Sequence, residues 1–249
     1  MKKTTFRIKS FFSELFAPAE FKCTCCGKEV FDGLGFCSDC KKGVVYNDGK
    51  TCKRCGVGLD GAEDYCGNCA FDKVYFDVAY SPFSYEGAVR DAILRFKFGN
   101  CGNFARILAK YLVYMAQKHS LEYDVVTCAP MTKKAKRARG YNQAQLLAEH
   151  FCAILNCEAK FALTIEKIKE TEAQEKLRRA DRKTNLIGAY KCIFDVKGKR
   201  VLVIDDVKTT GATLNECAKE LKKAGATSVV CLTVASRREN FDFEVDNER

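Results

Sequence analysis

Four Cys-x-x-Cys pairs stand at nearly even intervals near the start of the chain: Cys23/Cys26, Cys37/Cys40, Cys52/Cys55 and Cys66/Cys69. The stretches between consecutive pairs are ten, eleven and ten residues long, and moving the first two pairs on by 29 residues lands on the last two. The segment is an internal duplication of one unit. A turn of this length puts two sulfurs on one side of an ion, and two turns complete the four-thiolate tetrahedron that zinc prefers. A shell closed by four protein ligands leaves no position for a substrate, so each unit is expected to be a structural zinc ribbon. The sequential assignment gives Cys23, Cys26, Cys37 and Cys40 to one ion and Cys52, Cys55, Cys66 and Cys69 to a second. A cross-braced assignment, first pair with third and second with fourth, stays open. Gly27 and Gly56 follow the first and third pairs, where glycine lets the chain turn tightly and aim N–H groups at the thiolates.

The chain has 16 cysteines. In a small secreted chain so many would read as disulfides, but thioredoxin-type pairs do not recur four times at equal spacing. Cys25 is expected to be a spectator inside the first knuckle. Cys101, Cys128, Cys152, Cys157, Cys192, Cys217 and Cys231 fall in apolar stretches and are expected to be small core residues. Residues 21–72 hold few large apolar side chains, so metal must supply much of that segment's folding free energy, about 10 kcal/mol per site. Before it, residues 1–20 form an expected amphipathic helix with Phe12, Leu15 and Phe16 on one face and Pro18 at its end. Its basic start imitates a secretion signal, but the apolar run is short and carries Glu14. No stretch approaches the ~18 apolar residues of a membrane span. A reducing cytoplasm is the expected compartment. The excess of 42 Lys and Arg over 32 Asp and Glu leaves +10, which favours polyanionic partners.

From residue 73 to about 240 the texture changes, with a polar tail expected over 241–249. Strand patterns over 74–83, 124–128, 200–205 and 228–235 alternate with helix patterns over 86–98, 103–118, 142–156 and 211–224. Such alternation implies an α/β domain with a mostly parallel sheet flanked by helices. One segment is sharper than the rest. The apolar run Val201–Ile204 delivers Asp205 and Asp206 to a strand's C-terminal end, where open α/β sheets bind ligands. Thr209-Thr210-Gly211-Ala212-Thr213 then opens a helix, whose free N–H groups suit a phosphate.

This combination resembles the phosphoribosyl-pyrophosphate (PRPP) signature of the type I phosphoribosyltransferases. The resemblance implies that Asp205 and Asp206 hold the ribose hydroxyls as the catalytic acids. It assigns the 5′-phosphate to Thr209, Thr210, Gly211, Ala212 and Thr213. Lys208 stands where that family often has a small residue; it either reaches a phosphate or is solvated. Three further segments narrow the likeness: Tyr85–Arg90 running on to Phe96-Lys97-Phe98; Arg139-Gly140-Tyr141-Asn142-Gln143-Ala144; and Gln174, Arg182, Asn185 and Gly188–Tyr190. With the cysteine pairs in front, the arrangement resembles the ComF/ComFC family and its GntX relatives. That family is associated with natural competence.

Residues 133–183 contain thirteen Lys or Arg and seven Asp or Glu, which is +6. Lys133, Lys134, Lys136, Arg137 and Arg139 are expected in a loop after the strand ending near Pro130, where phosphoribosyltransferases carry a pyrophosphate loop. Arg178, Arg179, Arg182 and Lys183 lie where the family places a mobile cover, which would exclude water. A solvated charged face or a nucleic-acid backbone site are the alternatives. Tyr141 and Phe161 are expected to pack. The reaction implied is attack of an acceptor on the ribose C1′, with Mg2+ on the departing pyrophosphate. His119 and His150 fall within predicted helices, and no general base stands out. The implied partners are PRPP, single-stranded DNA, and a DNA-uptake helicase or other competence proteins. The competing reading is a nucleic-acid-binding accessory protein that retains a non-catalytic PRPP-type domain.

Overall fold

The computed structural model describes residues 21–31, 35–59, 61–157, 160–169 and 186–237. The expected helix over 1–20, the cluster containing Gln174, Arg178, Arg179, Arg182, Lys183 and Asn185, and the tail over 241–249 lie outside the described residues.

The cysteine-rich segment carries two short helices, α1 (Ser38–Lys41) and α2 (Gly67–Phe71). Cys37 and Cys66 cap them in the same extended conformation, so the duplication in sequence is a duplication in space. There follow β1 (Val78–Tyr80), β2 (Phe83–Ser84), α3 (Gly87–Phe98), α4 (Phe104–Lys118), β3 (Val125–Cys128), α5 (Lys133–Arg139) and α6 (Gln143–Ile154). The chain continues through β4 (Ile165–Lys167), β5 (Tyr190–Cys192), β6 (Arg200–Lys208), α7 (Ala212–Lys223) and β7 (Ser228–Ser236). One parallel sheet runs in the order β1-β7-β6-β3, with β2 continuing past β1 along β7. β4 and β5 form a separate antiparallel pair.

Alternate residues of β6 point to opposite faces, and each face has its own core. Leu202 and Ile204 pack with Ile93, Phe96, Leu112 and Phe151 from α3, α4 and α6. Val201 and Val203 pack with Leu214, Cys217 and Leu221 of α7, and with the second cysteine cluster. Both faces are therefore covered, as a parallel sheet requires.

The ribbon segment closes the sheet's outer edge. Ala79 N–H donates to the Arg54 carbonyl at 2.8 Å and Ser84 N–H to the Val45 carbonyl at 2.9 Å. Asn47 Nδ2 donates to the Ser81 and Phe83 carbonyls at 3.1 and 2.8 Å. A β-carbon on Gly56 would sit 2.4 Å from the Ala79 carbonyl oxygen, so the second ribbon packs directly onto β1.

Four expectations are corrected. The strand expected over 74–83 is two short strands, because Ser81-Pro82 interrupts it. The strand after residue 200 runs on to Lys208, which still pairs with Ser236, so the two acids lie inside the strand and not at its end. The basic stretch 133–139 is the helix α5 and not a loop: Thr132 Oγ1 accepts from Ala135 N–H at 3.2 Å, and Gly140 at φ 88° ends it. Of the scattered cysteines, Cys128, Cys152, Cys217 and Cys231 are buried, whereas Cys101, Cys157 and Cys192 are only half-buried. The β4–β5 pair had no sequence expectation. Among the described residues, no helix is long and apolar enough to cross a membrane.

Candidate functional site

The eight paired cysteines gather sequentially. Cys23, Cys26, Cys37 and Cys40 form one cluster and Cys52, Cys55, Cys66 and Cys69 the other, with all ligand atoms of a cluster within 4.8 Å of one another. The cross-braced alternative is thereby set aside. Cys26 Sγ lies 3.7 Å from Cys37 Sγ, and Cys55 Sγ lies 3.5 Å from Cys66 Sγ. A tetrahedron with 2.3 Å zinc–sulfur bonds has edges of ~3.8 Å, so both donor sets fit zinc. In each first knuckle a backbone N–H points at the leading thiol: Cys26 N to Cys23 Sγ and Cys55 N to Cys52 Sγ, both at 3.5 Å. Gly27 and Gly56, at φ 84° and 65°, make the turns that aim them. The clusters differ in setting. All four sulfur residues of the second are buried, while Cys26 is exposed.

β6 brings Asp205 and Asp206 to the C-terminal part of the sheet. Asp205 is half-buried, and its Oδ1 accepts the Asp206 N–H at 2.8 Å. Burial first, then the charge of Asp206, push the Asp205 carboxyl up to about 8. Asp206 is buried, and its Oδ2 lies 3.3 Å from Lys97 Nζ in an ion pair with both side chains nearly covered. Lys97 is the penultimate residue of α3, and its charge also favours the ionised form of Asp205. It is a site residue that sequence reasoning named only within a segment, without a role. A lone lysine between two phenylalanines was the available signal.

α3 has a second tie. Arg95 Nη1 donates to the Cys23, Thr24 and Cys25 carbonyls at 3.2, 3.2 and 2.9 Å, which anchors the first ribbon to the helix that carries Lys97. The Tyr141 hydroxyl donates to the Phe96 carbonyl, and Arg139 stacks over the Phe98 ring at 5.0 Å. The segment Arg139–Gln143 thus holds the end of α3. Tyr141 and Phe161 are partly buried against the core, as expected.

After β6 the chain turns through Thr209 and Thr210 into Gly211, the N-cap of α7, at φ 78°. Only glycine adopts that conformation without strain. Thr210 Oγ1 accepts from Ala212 N–H at 3.4 Å, and Asn215 N–H reaches the Gly211 carbonyl at 2.9 Å. The first turn of α7 presents its N–H groups and contains no acidic residue. Lys208 is 5% exposed, so it is not an open surface lysine; it lines the cavity beside the loop, and its charge acts on the Cys55 thiol. A cavity of about 260 Å³ lies between the loop and the second ribbon, lined by Cys66, Tyr75, Lys208, Thr210, Gly211 and Arg237 among others.

Of the pyrophosphate candidates, Lys133, Lys136 and Arg137 are exposed on α5 and Arg139 is half-buried. Lys136 Nζ donates to Gln145 Oε1 at 3.0 Å, and Arg139 Nη1 to Gln143 Oε1 at 3.1 Å. His119 stacks on Tyr80 with ring centroids 3.8 Å apart, and His150 is half-buried in α6.

Residues 137–246 match the phosphoribosyl transferase domain family, and residues 12–70 match the double zinc ribbon domain family. Over 219 residues the chain is 31% identical to Competence protein F of Haemophilus influenzae, covering 84% of this chain and 94% of that one. The chain belongs to the competence protein F family. Another relative is DNA utilization protein YhgH of Salmonella typhimurium, 30% identical over 78% of this chain and 87% of its own. Competence protein ComFC of Bacillus subtilis is 26% identical over 80% of this chain and 82% of its own. For this ComF-family chain, the two domain matches coincide with the two features built above: a duplicated four-cysteine ribbon, and a parallel sheet that carries an acidic pair ahead of a helix N-terminus.

Proposed function

We propose that this protein binds PRPP over β6 and transfers its phosphoribosyl group to an acceptor. The observation that carries this is the run from β6 into α7: Asp205 and Asp206 adjacent, Asp206 charge-compensated by Lys97, then the left-handed Gly211 and a helix N-terminus with no acidic residue in its first turn. The acids accept hydrogen bonds from the ribose 2′ and 3′ hydroxyls. The loop Thr209–Thr213 takes the 5′-phosphate on backbone N–H groups and threonine hydroxyls. The acceptor's lone pair attacks C1′ as the C1′–O bond to pyrophosphate breaks, through an oxocarbenium-like transition state. Mg2+ brought in with the pyrophosphate would supply charge neutralisation for the leaving group. The chain's own part is positioning and electrostatics, with Arg139, Lys136, Lys133, Arg137 and Arg182 as the cations available to pyrophosphate. Calorimetric titration of PRPP with Mg2+, beside Asp205→Asn and Asp206→Asn, tests it. Binding that is lost in both variants supports the site; equal heats in all three proteins, or none in any, refute it.

A second reading has its own observation. A cavity of about 430 Å³ is lined by Tyr46, Tyr111 and Tyr114 together with Lys110 and Lys118. The helix behind it, α4, carries Arg106, Lys110 and Lys118 and no acidic residue. Aromatic faces beside cations suit unstacked bases and their backbone. Under this reading the protein handles single-stranded DNA in the cytoplasm together with a helicase or other competence proteins, in keeping with the names of its relatives. Salt-steep binding of an oligonucleotide that survives Asp205→Asn and is lost in Tyr114→Ala supports it.

A further inference from the structure

We infer that the second zinc ribbon and the phosphate loop are two walls of one pocket, and that metal in the ribbon and a phosphate group on the loop bind cooperatively through Lys208. The inference rests on the phosphate-binding reading of the loop. The second cluster contributes Cys55, Cys66 and Cys69 to the lining of the 260 Å³ cavity, and the loop contributes Thr209, Thr210 and Gly211. Lys208 belongs to both walls. It is the last residue of β6, so the next residue begins the loop, and its side chain runs beneath Gly211, with Cγ 3.8 Å from where that residue's β-carbon would be.

Lys208 is only 5% exposed and lines the same cavity as Cys55. A covered cation needs a counter-charge. Zinc held by four thiolates carries a net charge of roughly −2, which supplies one beside Cys55. Without the ion, the four sulfurs cannot stay gathered as thiolates, and Lys208 loses its packing and its counter-charge together. The ammonium then turns to solvent, and the loop's first residue moves with it. Two backbone ties make the joint stiff. Asn215, in the first turn of α7, accepts from Tyr75 N–H at 2.7 Å and donates to the Lys73 carbonyl at 3.1 Å. Arg237 N–H donates to the Lys208 carbonyl at 2.9 Å. The chain leaving the second ribbon is therefore stapled to the helix whose N-terminus faces the phosphate. The first cluster has no part in this wall; its anchor is Arg95 on α3.

Coupling of this kind is reciprocal and typically amounts to 5- to 150-fold, so about tenfold is expected here. The experiment follows zinc loss from the intact holoprotein to an excess of chromogenic chelator. The exposed first cluster gives a fast phase and the buried second cluster a slow one, and Cys26→Ser, which removes the fast phase, assigns them. Mg2+–PRPP is expected to tighten the second site's zinc affinity about tenfold, read by equilibrium competition with the chelator, to slow the slow phase, and to leave the fast phase unchanged. Lys208→Met is expected to start with both ions bound and to lose the protection. If PRPP gives binding heat yet the slow phase keeps its rate, the coupling is wrong and the PRPP reading stands. If ribose 5-phosphate or inorganic phosphate protects the second ion while PRPP gives no heat, the coupling stands and the PRPP reading falls. If none of the three slows zinc loss, or if Lys208→Met is protected like the parent, the coupling is refuted.

Discussion

Replacing Lys97 with methionine keeps most of the side chain's volume and removes the charge opposite Asp206. At 3.3 Å an effective dielectric of about 20 gives roughly 5 kcal/mol of attraction. The side chains are 13% and 11% exposed, so little water is at hand to replace the lost partner. Part of the attraction was offset by desolvation, and the expected loss of stability is about 3 kcal/mol, at the low end for breaking a buried pair. Because Lys97 also favours the ionised form of Asp205, Lys97→Met leaves two adjacent carboxyls without compensation. Asp206→Asn in the same chain should restore most of the loss. Urea unfolding of the parent, Lys97→Met, Asp206→Asn and the double variant, with zinc present throughout, gives the coupling directly; about 2 kcal/mol is expected. Additive effects, with a coupling below about 0.5 kcal/mol, would show that the ion pair does not hold the acid in place.

Asp205 has a pH signature of its own. Its carboxyl is raised to about 8 in the folded protein, so the native state holds a proton that the unfolded chain releases near pH 4. Stability is greatest below the unfolded value and declines as pH rises towards 8; thermal melts of Asp205→Asn should lack this decline and lie above the parent at pH 8. Chelation should release two zinc ions per chain, as counted with a metallochromic dye; one ion or none would overturn the two-ribbon assignment. Gly56→Ala places a β-carbon against the Ala79 carbonyl at φ 65° and should cost about 2–3 kcal/mol in denaturant melts. Gly49→Ala meets nothing within 4 Å and should cost under about 0.5 kcal/mol.

The features legible in sequence were those set by local chemistry. Equal spacing placed eight cysteines in two clusters, and apolar runs located β6, β7 and the helices α3, α4, α6 and α7 to within a few residues. Even there, spacing could not choose between sequential and cross-braced pairing, since that choice depends on how the two units pack. The stretch 133–139 misled because seven residues with five cations carry no apolar periodicity; Thr132 and Gly140 at its ends were the better guide. Lys97 was hidden because its partner lies 109 positions away in sequence, and no local pattern announces an ion pair made between a helix and a strand. For Lys208 the sequence left two readings open, a phosphate contact or a solvated side chain. Its cover comes from parts distant in sequence, the second ribbon among them, which line one cavity with it.

The backbone bonds between ribbon and strand bear on what zinc scarcity would do in a cell. β1 and β2 form the outer border of the sheet, and the Arg54 and Val45 carbonyls occupy N–H groups that would otherwise face water. An uncovered border strand is a template for joining another chain. Metal starvation would then convert a folded sheet into a self-adhesive one, and the visible symptom would be clumping of the protein while the helices that flank the sheet persist. On that reasoning the ribbons would act as a metal-dependent cover for the sheet's border as well as a fold of their own.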